Sequence, residues 1–520
     1  MQILGKKTII KKTIQVGSST LISRFFGIIR ELLMVRYLGA GIASDAFLTA
    51  FKVPNSLRKI FAEGALSAAF VPSFVTSLKH NKKAADSLMS LAFILFEGGL
   101  LCVCAILMIF APWVIWLIAP GFDAAQIAIA VPLLRILMPF IFFISSSALL
   151  AGALQSVGKF FVPAFGPILL NVIFIAGLLI CYFFGLPVTY LCFFILFGGF
   201  LQCVQHLIAY FNQGFGFGSV NKQTWQAFRH ILKKFFPCLV SMSVMEISLF
   251  IDTGFASYLH PGSISLLYYA NRFMNIPLGV FAVALSTILL PHFSRISTYA
   301  PARLNFYILE SAKLVFWVTL PCTLLMIFFA RDIFTTLFLS DSFTRMQANE
   351  AASILIAFMI GLFFFSFNKI LLNIFYSRHE TKIPSFICLA GTLVNIILNF
   401  AFMSWLQGTG LALATTLAGI FQTALLFYYL YALYGYHGYL PRFFMFVWRY
   451  VMQLMVIGLC FAMLYYGIVF LIGHYVSNRM ALFLLEKIGF WLWVGPLCAI
   501  MALVVYVTRN LFNIRLYFLD

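Results

Sequence analysis

Residues 44–78 read SDAFLTAFKVPNSLRKIFAEGALSAAFVPSFVTSL. The stretch is long and largely apolar, yet it carries Asp45, Lys52, Pro54, Asn55, Arg58, Lys59, Glu63 and Gly64. The apolar run before it, 14–38, holds Arg24, Arg30, Glu31 and Arg36. Both runs are long enough to cross a bilayer. Six basic side chains in them therefore stand against only Glu31, Asp45 and Glu63. An ionisable group at the bilayer centre costs at least ~2.5–3.5 kcal/mol. Costs of that size persist only if the cations line a shared wet cavity that something anionic visits. The pattern predicts a transport pathway for a negatively charged substrate.

The rest of the chain agrees with a membrane setting. Of 520 residues, 63% are hydrophobic and 9% charged, which excludes a soluble domain. Apolar runs broken by polar or Gly/Pro turns predict an all-α integral membrane protein of about fourteen helices. They fall near 14–38, 44–78, 86–110, 127–156, 160–183, 187–211, 225–258, 263–297, 304–330, 348–377, 382–405, 410–433, 443–471 and 487–509. Alternate loops then differ in charge. One set holds twenty basic residues, from Lys6 and Lys7 to Arg509 and Arg515, and the other only Arg331, Arg345, Arg479 and Lys487. By the positive-inside rule both termini are cytoplasmic, and the net charge of +19 needs no nucleic acid. The basic start MQILGKKTIIKKT lacks the apolar core of a cleaved signal and is expected to be retained.

A short repeat divides the chain. Ala65-Leu66-Ser67 precedes Pro72-x-Phe74, and Ala284-Leu285-Ser286 precedes Pro291-x-Phe293 at the same spacing, 219 residues on. The two copies end the second and the eighth predicted helix. A duplicated six-helix unit follows, with lobes at 1–215 and 216–435 around a central cavity and two extra helices in 436–520.

Arg24 and Glu31, seven apart, share a helix face, with Arg30 about 120° round from Arg24. Two readings of this group stand: an anion site steadied by Glu31, or an internal salt-bridge network with no substrate contact. Arg36, near a helix end, reads as snorkelling to the interface. Lys52, Asn55 and Lys59 share a face at i, i+3, i+7, while Arg58 and Lys59 point apart and reach either the cavity or the headgroups. Pro54 removes an N–H and permits a kink. The second half is sparser, with Glu246, Asp252, Asn271, Arg272 and Lys369. Asp252 and Arg272 either pair structurally, or Arg272 is the second half's part of an anion clamp. Glu97 and Arg135 stand in the third and fourth predicted helices.

No nucleotide-binding, nucleophile-elbow or zinc-protease motif occurs. The ten cysteines lie in apolar runs without metal-ligand spacing. The expectation is a transporter and not an enzyme, with no catalytic residue, metal or cofactor.

The motifs as a set resemble the MurJ (MviN) lipid II flippases. The residues that carry the likeness are Ser23-Arg24-x-x-Gly27-x-x-Arg30-Glu31, Ser44-Asp45-Ala46-Phe47, Phe51-Lys52-x-Pro54-Asn55-x-Leu57-Arg58 and Phe61-Ala62-Glu63-Gly64-Ala65. Tyr268-Tyr269-Ala270-Asn271-Arg272 and Phe375-Tyr376-Ser377-Arg378 support it from the second half. The resemblance implies two six-helix lobes around a cationic cavity in the bacterial inner membrane. It implies alternating access that moves an undecaprenyl-diphosphate-linked peptidoglycan precursor to the outer leaflet, and wall-synthesis proteins as partners. The family's cavity arginines match Arg24, Arg30, Arg58 and Arg272, and its essential aspartate matches Asp45. Lys52, Glu63 and Lys369 also fall on family positions, and the last two helices would hold the lipid tail. Two departures stand out. Asn271 replaces the aspartate usual before Arg272, which leaves Asp252 as a candidate partner. Asn373-Ile374 replaces a Pro-Gly break common in the tenth helix. Rival readings are a flippase for another lipid-diphosphate saccharide, a multidrug exporter of the same superfamily, whose cationic drugs so basic a cavity would repel, and a polytopic glycosyltransferase, for which catalytic carboxylates are not seen.

Overall fold

A computed structural model describes residues 6–518, apart from 283–284, 287–288, 290–291, 294, 297–298, 300–302, 379, 381 and 437–439. Among these residues the chain is helical almost throughout. The first helix, α1, runs Lys6–Leu38, and α2 runs Ile42–Leu57. Eight helices are long and apolar enough to cross a membrane, or nine if a bent pair counts as one span. The first, second, seventh and eighth predicted spans are helical but not among the eight. These are the segments loaded with Arg24, Lys52, Glu246 and Arg272.

The second segment is not one regular helix. Pro54 lies in the last turn of α2, and the winding then loosens to a π-helical stretch, Arg58–Ala65, before α3 (Leu66–His80) resumes. An i→i+5 stretch inside an α-helix adds a residue to the turn and recurs at functional sites. The same loosening follows α12 (Ser263–Pro277), at Leu278–Ala282. Shifting 59–63 by 219 residues gives that position, so the repeat read from Ala-Leu-Ser extends to an irregularity of winding.

Two compact units divide the chain at Ser265 and Leu266. In the first, Phe70 and Phe74 of α3 pack with Leu88 and Met89 of α4 (Lys82–Ala92). Leu149 and Leu150 of α8 (Phe140–Ser156) and Phe228 and Ile231 of α11 (Lys222–Ala256) complete this core. Helices in lipid associate by close packing and interhelical hydrogen bonds more than by apolar burial. α9 (Phe161–Phe183) and α10 (Val188–Asn212) illustrate it. A Cβ at Gly177 would stand 2.6 Å from the Phe194 side chain, so glycine sets how near the two helices come.

In the second unit, Ile370, Leu371, Ile374 and Phe375 form a core with Ile308, Val315, Leu426 and Leu430. The tenth predicted helix is bent by 42° between Arg345–Ile360 and Leu362–Ser377. The bend is at Gly361, and Asn373-Ile374 lies inside the unbroken second piece. The long helix Lys382–Tyr434 is interrupted at Gln407 (φ 51°, ψ −134°), between the eleventh and twelfth predicted spans. The outer helix Leu440–Tyr475 presents Trp448, Met455 and Met463 outward, as a lipid-facing helix does.

Candidate functional site

Arg30 is held from two sides. Its Nη2 donates to Glu31 Oε1 at 2.6 Å, and its Nη1 donates to Asn171 Oδ1 on α9 at 3.0 Å. The Phe174 ring lies 5.1 Å from the guanidinium carbon, on the same helix as Asn171. Asn171 also donates from Nδ2 to the Ser23 carbonyl at 3.3 Å, tying α9 back to α1. A neighbouring carboxylate, an amide and an aromatic face thus fix the plane of the fork. Arg24 and Arg36 are exposed.

The cations of the second segment meet α11. Lys52 Nζ donates to the Leu249 carbonyl at 2.7 Å and to the Thr253 hydroxyl. The Asp252 carboxylate acts on the same ammonium. One face further along, Lys59 Nζ stands 3.0 Å and 3.2 Å from the two oxygens of Glu246, and Ser56 Oγ donates to that carboxylate at 2.7 Å. Lys52 and Lys59 share a face as expected, and they read antiparallel against Asp252 and Glu246. Asn55, expected on the same face, accepts from Arg58 Nε at 3.2 Å. The Glu63 side chain lies outside the described residues.

Lys59 is 39% exposed, so its pairing with Glu246 is screened and modest. A double-mutant cycle on Lys59→Ala and Glu246→Ala, read by thermal unfolding in detergent, should give a coupling of about 0.5–1 kcal/mol. A coupling of zero would mean that the contact contributes nothing.

Asp45 is 2% exposed and fully used. Oδ2 accepts from the Gly262 amide at 2.7 Å, and Oδ1 accepts from the Ser265 amide at 2.8 Å and from its hydroxyl at 2.5 Å. Ser44 Oγ stands 2.7 Å from Ser265 Oγ. The two amides open α12, so the carboxylate caps a helix start, where an anion is favoured. Gly262 has φ +101°, and a Cβ there would come within 2.8 Å of the Ala40 carbonyl oxygen.

In the second unit, Arg272 donates from Nε and Nη2 to Tyr268 Oη at 3.1 Å and 2.8 Å, with its guanidinium carbon 5.0 Å from the ring. One turn on, Asn275 Nδ2 donates to the Asn271 carbonyl at 2.8 Å. Lys369 is half-buried, and Asn373, a turn later, donates to the Ser286 carbonyl at 2.7 Å. Sequence reasoning assigned no role to Asn171, Glu246, Thr253 or Ser265. Only Glu246 gave a signal, a carboxylate in an apolar run.

Membrane-crossing helices that hold arginines and lysines among hydrogen-bond partners define a class, the multi-span transport proteins. Comparison with known proteins gives the family. Residues 34–489 match the family described as Lipid II flippase MurJ. A probable lipid II flippase MurJ of Buchnera aphidicola subsp. Schizaphis graminum is 31% identical over 488 residues, 92% of this chain and 95% of that one. The lipid II flippase MurJ of Burkholderia cenocepacia is 32% identical over 423 residues, 79% of this chain and 82% of the other. A solved lipid II flippase MurJ in an inward closed conformation superposes with TM-score 0.76 at 27% identity, over 96% of this chain and 99% of that one. The chain belongs to the MurJ lipid II flippase family of the MOP superfamily: it is a transporter of peptidoglycan biosynthesis, not an enzyme. An inward-facing multidrug MATE transporter of that superfamily matches with TM-score 0.68 at 16% identity, over 81% of this chain and 98% of that one, a likeness of fold alone.

Proposed function

We propose that the flippase binds the diphosphate of its lipid-linked precursor on Arg24, Arg30, Lys52, Arg58 and Arg272. Alternating access then carries it from the inner to the outer leaflet of the bacterial cytoplasmic membrane. The observation that supports this best is the fixing of Arg30 by Glu31 and Asn171. A guanidinium held in plane is ready for bidentate donation to a phosphate, and it stays charged whatever the local dielectric. Two charges moving outward across an inside-negative potential gain roughly 4–5 kcal/mol per 100 mV.

In this reading the eight apolar helices, the bent pair, the division at Gln407 and the four charged helical segments amount to about fourteen spans. An even number puts both termini in the cytoplasm, as the loop charges ask. The lobes are 1–215 and 216–435, and 436–520 accommodates the lipid tail. The π-helical stretches 219 residues apart support the duplication. Glu31, Asp45, Asn55, Glu63, Asp252, Asn271 and Lys369 position the cations or the helices that bear them. Partners are the lipid-linked diphosphate, the surrounding lipids and enzymes of wall synthesis.

The direct test is whether the chain restores growth to cells depleted of their own lipid II flippase. Arg24→Ala and Arg58→Ala should each abolish rescue while the protein still inserts. Normal outer-leaflet precursor levels in both variants would remove the cavity hypothesis.

The contact of Gly262 with Ala40 gives a second test. Ser263 is fully buried, whereas Ala43 and His260 are exposed and better suited to probes. Ala43→Cys and His260→Cys, in a background without native cysteines, should label from outside. A bifunctional thiol reagent joining them should stop flipping. Labelling only from the cytoplasmic side would overturn the orientation, and crosslinking without loss of transport would count against alternating access.

A further inference from the structure

The third predicted span contains a carboxyl that neither the cavity nor the ion pairs use. Glu97 is 3% exposed. Its Oε1 accepts from Ser145 Oγ on α8 at 2.7 Å, while its Oε2 is buried without a hydrogen-bond partner. Ser146, whose hydroxyl lies within reach of the carboxyl, is likewise buried and unsatisfied. Local winding puts Glu97 there. Residues Phe93–Glu97 are π-helical, and Ile94 and Leu95 in the same stretch are exposed to lipid at 63% and 38%. The wider turn carries Glu97 further from the lipid-facing side than α-helical winding would, and points it at α8.

No cation is paired with this carboxyl among the described residues. The other titratable groups close enough to feel it are the thiols of Cys104 on α5 (Gly98–Ile109) and Cys203 on α10. An ionised carboxylate so enclosed, with one hydrogen bond, bears a penalty of several kcal/mol. A neutral acid avoids it, and its O–H satisfies the second oxygen. A sodium ion is a poorer occupant. It asks for more oxygens than one carboxyl and two hydroxyls supply, and the remaining neighbours are thiols and apolar side chains.

We infer that Glu97 is a proton-binding site in the first unit, neutral when packed against Ser145 and Ser146 and releasing its proton to water when that contact opens. Its link to transport rests on the flippase reading above; the occupancy of the site does not. In balance, the acid gives a carboxylate and a proton taken up by water, with no other reactant.

The test uses the full chain in lipid nanodiscs and infrared difference spectra of wild type against Glu97→Gln. A carboxylic C=O band present near neutral pH, shifted in heavy water and absent in the variant, is expected. It should disappear as pH rises. Ser145→Ala, which removes the donor that favours the carboxylate, should move that disappearance to higher pH. Identical spectra for wild type and Glu97→Gln would overturn the inference. So would loss of the band on adding sodium chloride at constant pH, which would make the site a cation ligand. The spectra need no flipping, so failure of the transport reading would show separately, as absent translocation in wild type. In flipping assays, Glu97→Gln should lose the pH dependence that wild type shows.

Discussion

Arg30→Ala should abolish flipping and also destabilise the protein. Breaking one partner of a partly buried pair leaves Glu31, 13% exposed at its side chain, without the charge that sits 2.6 Å away, at a cost of about 3–5 kcal/mol. The Asn171 carbonyl oxygen loses its donor as well. Arg30→Ala with Glu31→Ala removes both charges and should recover most of the unfolding temperature. It should not recover outer-leaflet precursor. Arg30→Lys keeps the charge but not the fork, and should give partial flipping. Unfolding by calorimetry and precursor accessibility in vesicles separate the two effects. If the double variant flips normally, Arg30 serves Glu31 and not the substrate.

Asp45→Ala should cost about 2–5 kcal/mol of stability, because two buried amides and a hydroxyl lose one acceptor group together. Asp45→Asn keeps one acceptor oxygen and should fall between. Gly262→Val strikes the same place by another route, forcing a branched side chain into φ +101° and against the Ala40 carbonyl. All three should lower the unfolding temperature, in the order Asn, then Ala and Val. An Asp45→Ala protein as stable as wild type would show that the cap is dispensable. A stable Asp45→Asn protein that does not flip would assign the role to the charge instead.

Much of this was legible in the chain. A lysine or arginine in an apolar run announces itself, because a membrane charges heavily for it. Lys52, Arg58 and the Arg30–Glu31 pair were therefore found at once. What hid was the other side of each contact. Asn171 stands 141 residues from Arg30, and Glu246 stands 187 from Lys59. Those pairings depend on which helices pack together and at what height, and apolar periodicity is silent on both. Asp45 was visible as a charge, but its partners are mainly backbone amides of Gly262 and Ser265, which have no sequence signature. The π-helical stretches escaped too. One surplus residue in a turn is lost in an apolar pattern with few polar marks. The charged spans, conversely, were readable as spans only because their neighbours set the topology.

The surplus residue in 58–65 fixes the phase of everything that follows it. Upstream lie Lys52 and Asn55; downstream, Phe70 and Phe74 reach a core in which they are 1% and 0% exposed. Removing one residue would let the segment close to regular winding, but it would rotate α3 by about 100° relative to α2. Cations and core would then no longer be satisfied by the same helix. Single-residue deletions here should therefore be tolerated worse than most substitutions. Leu278–Ala282 carries the same surplus at the matching place, so the two halves keep step only while both retain it. A length change in one half is, in effect, a gear tooth lost on one of two meshed wheels.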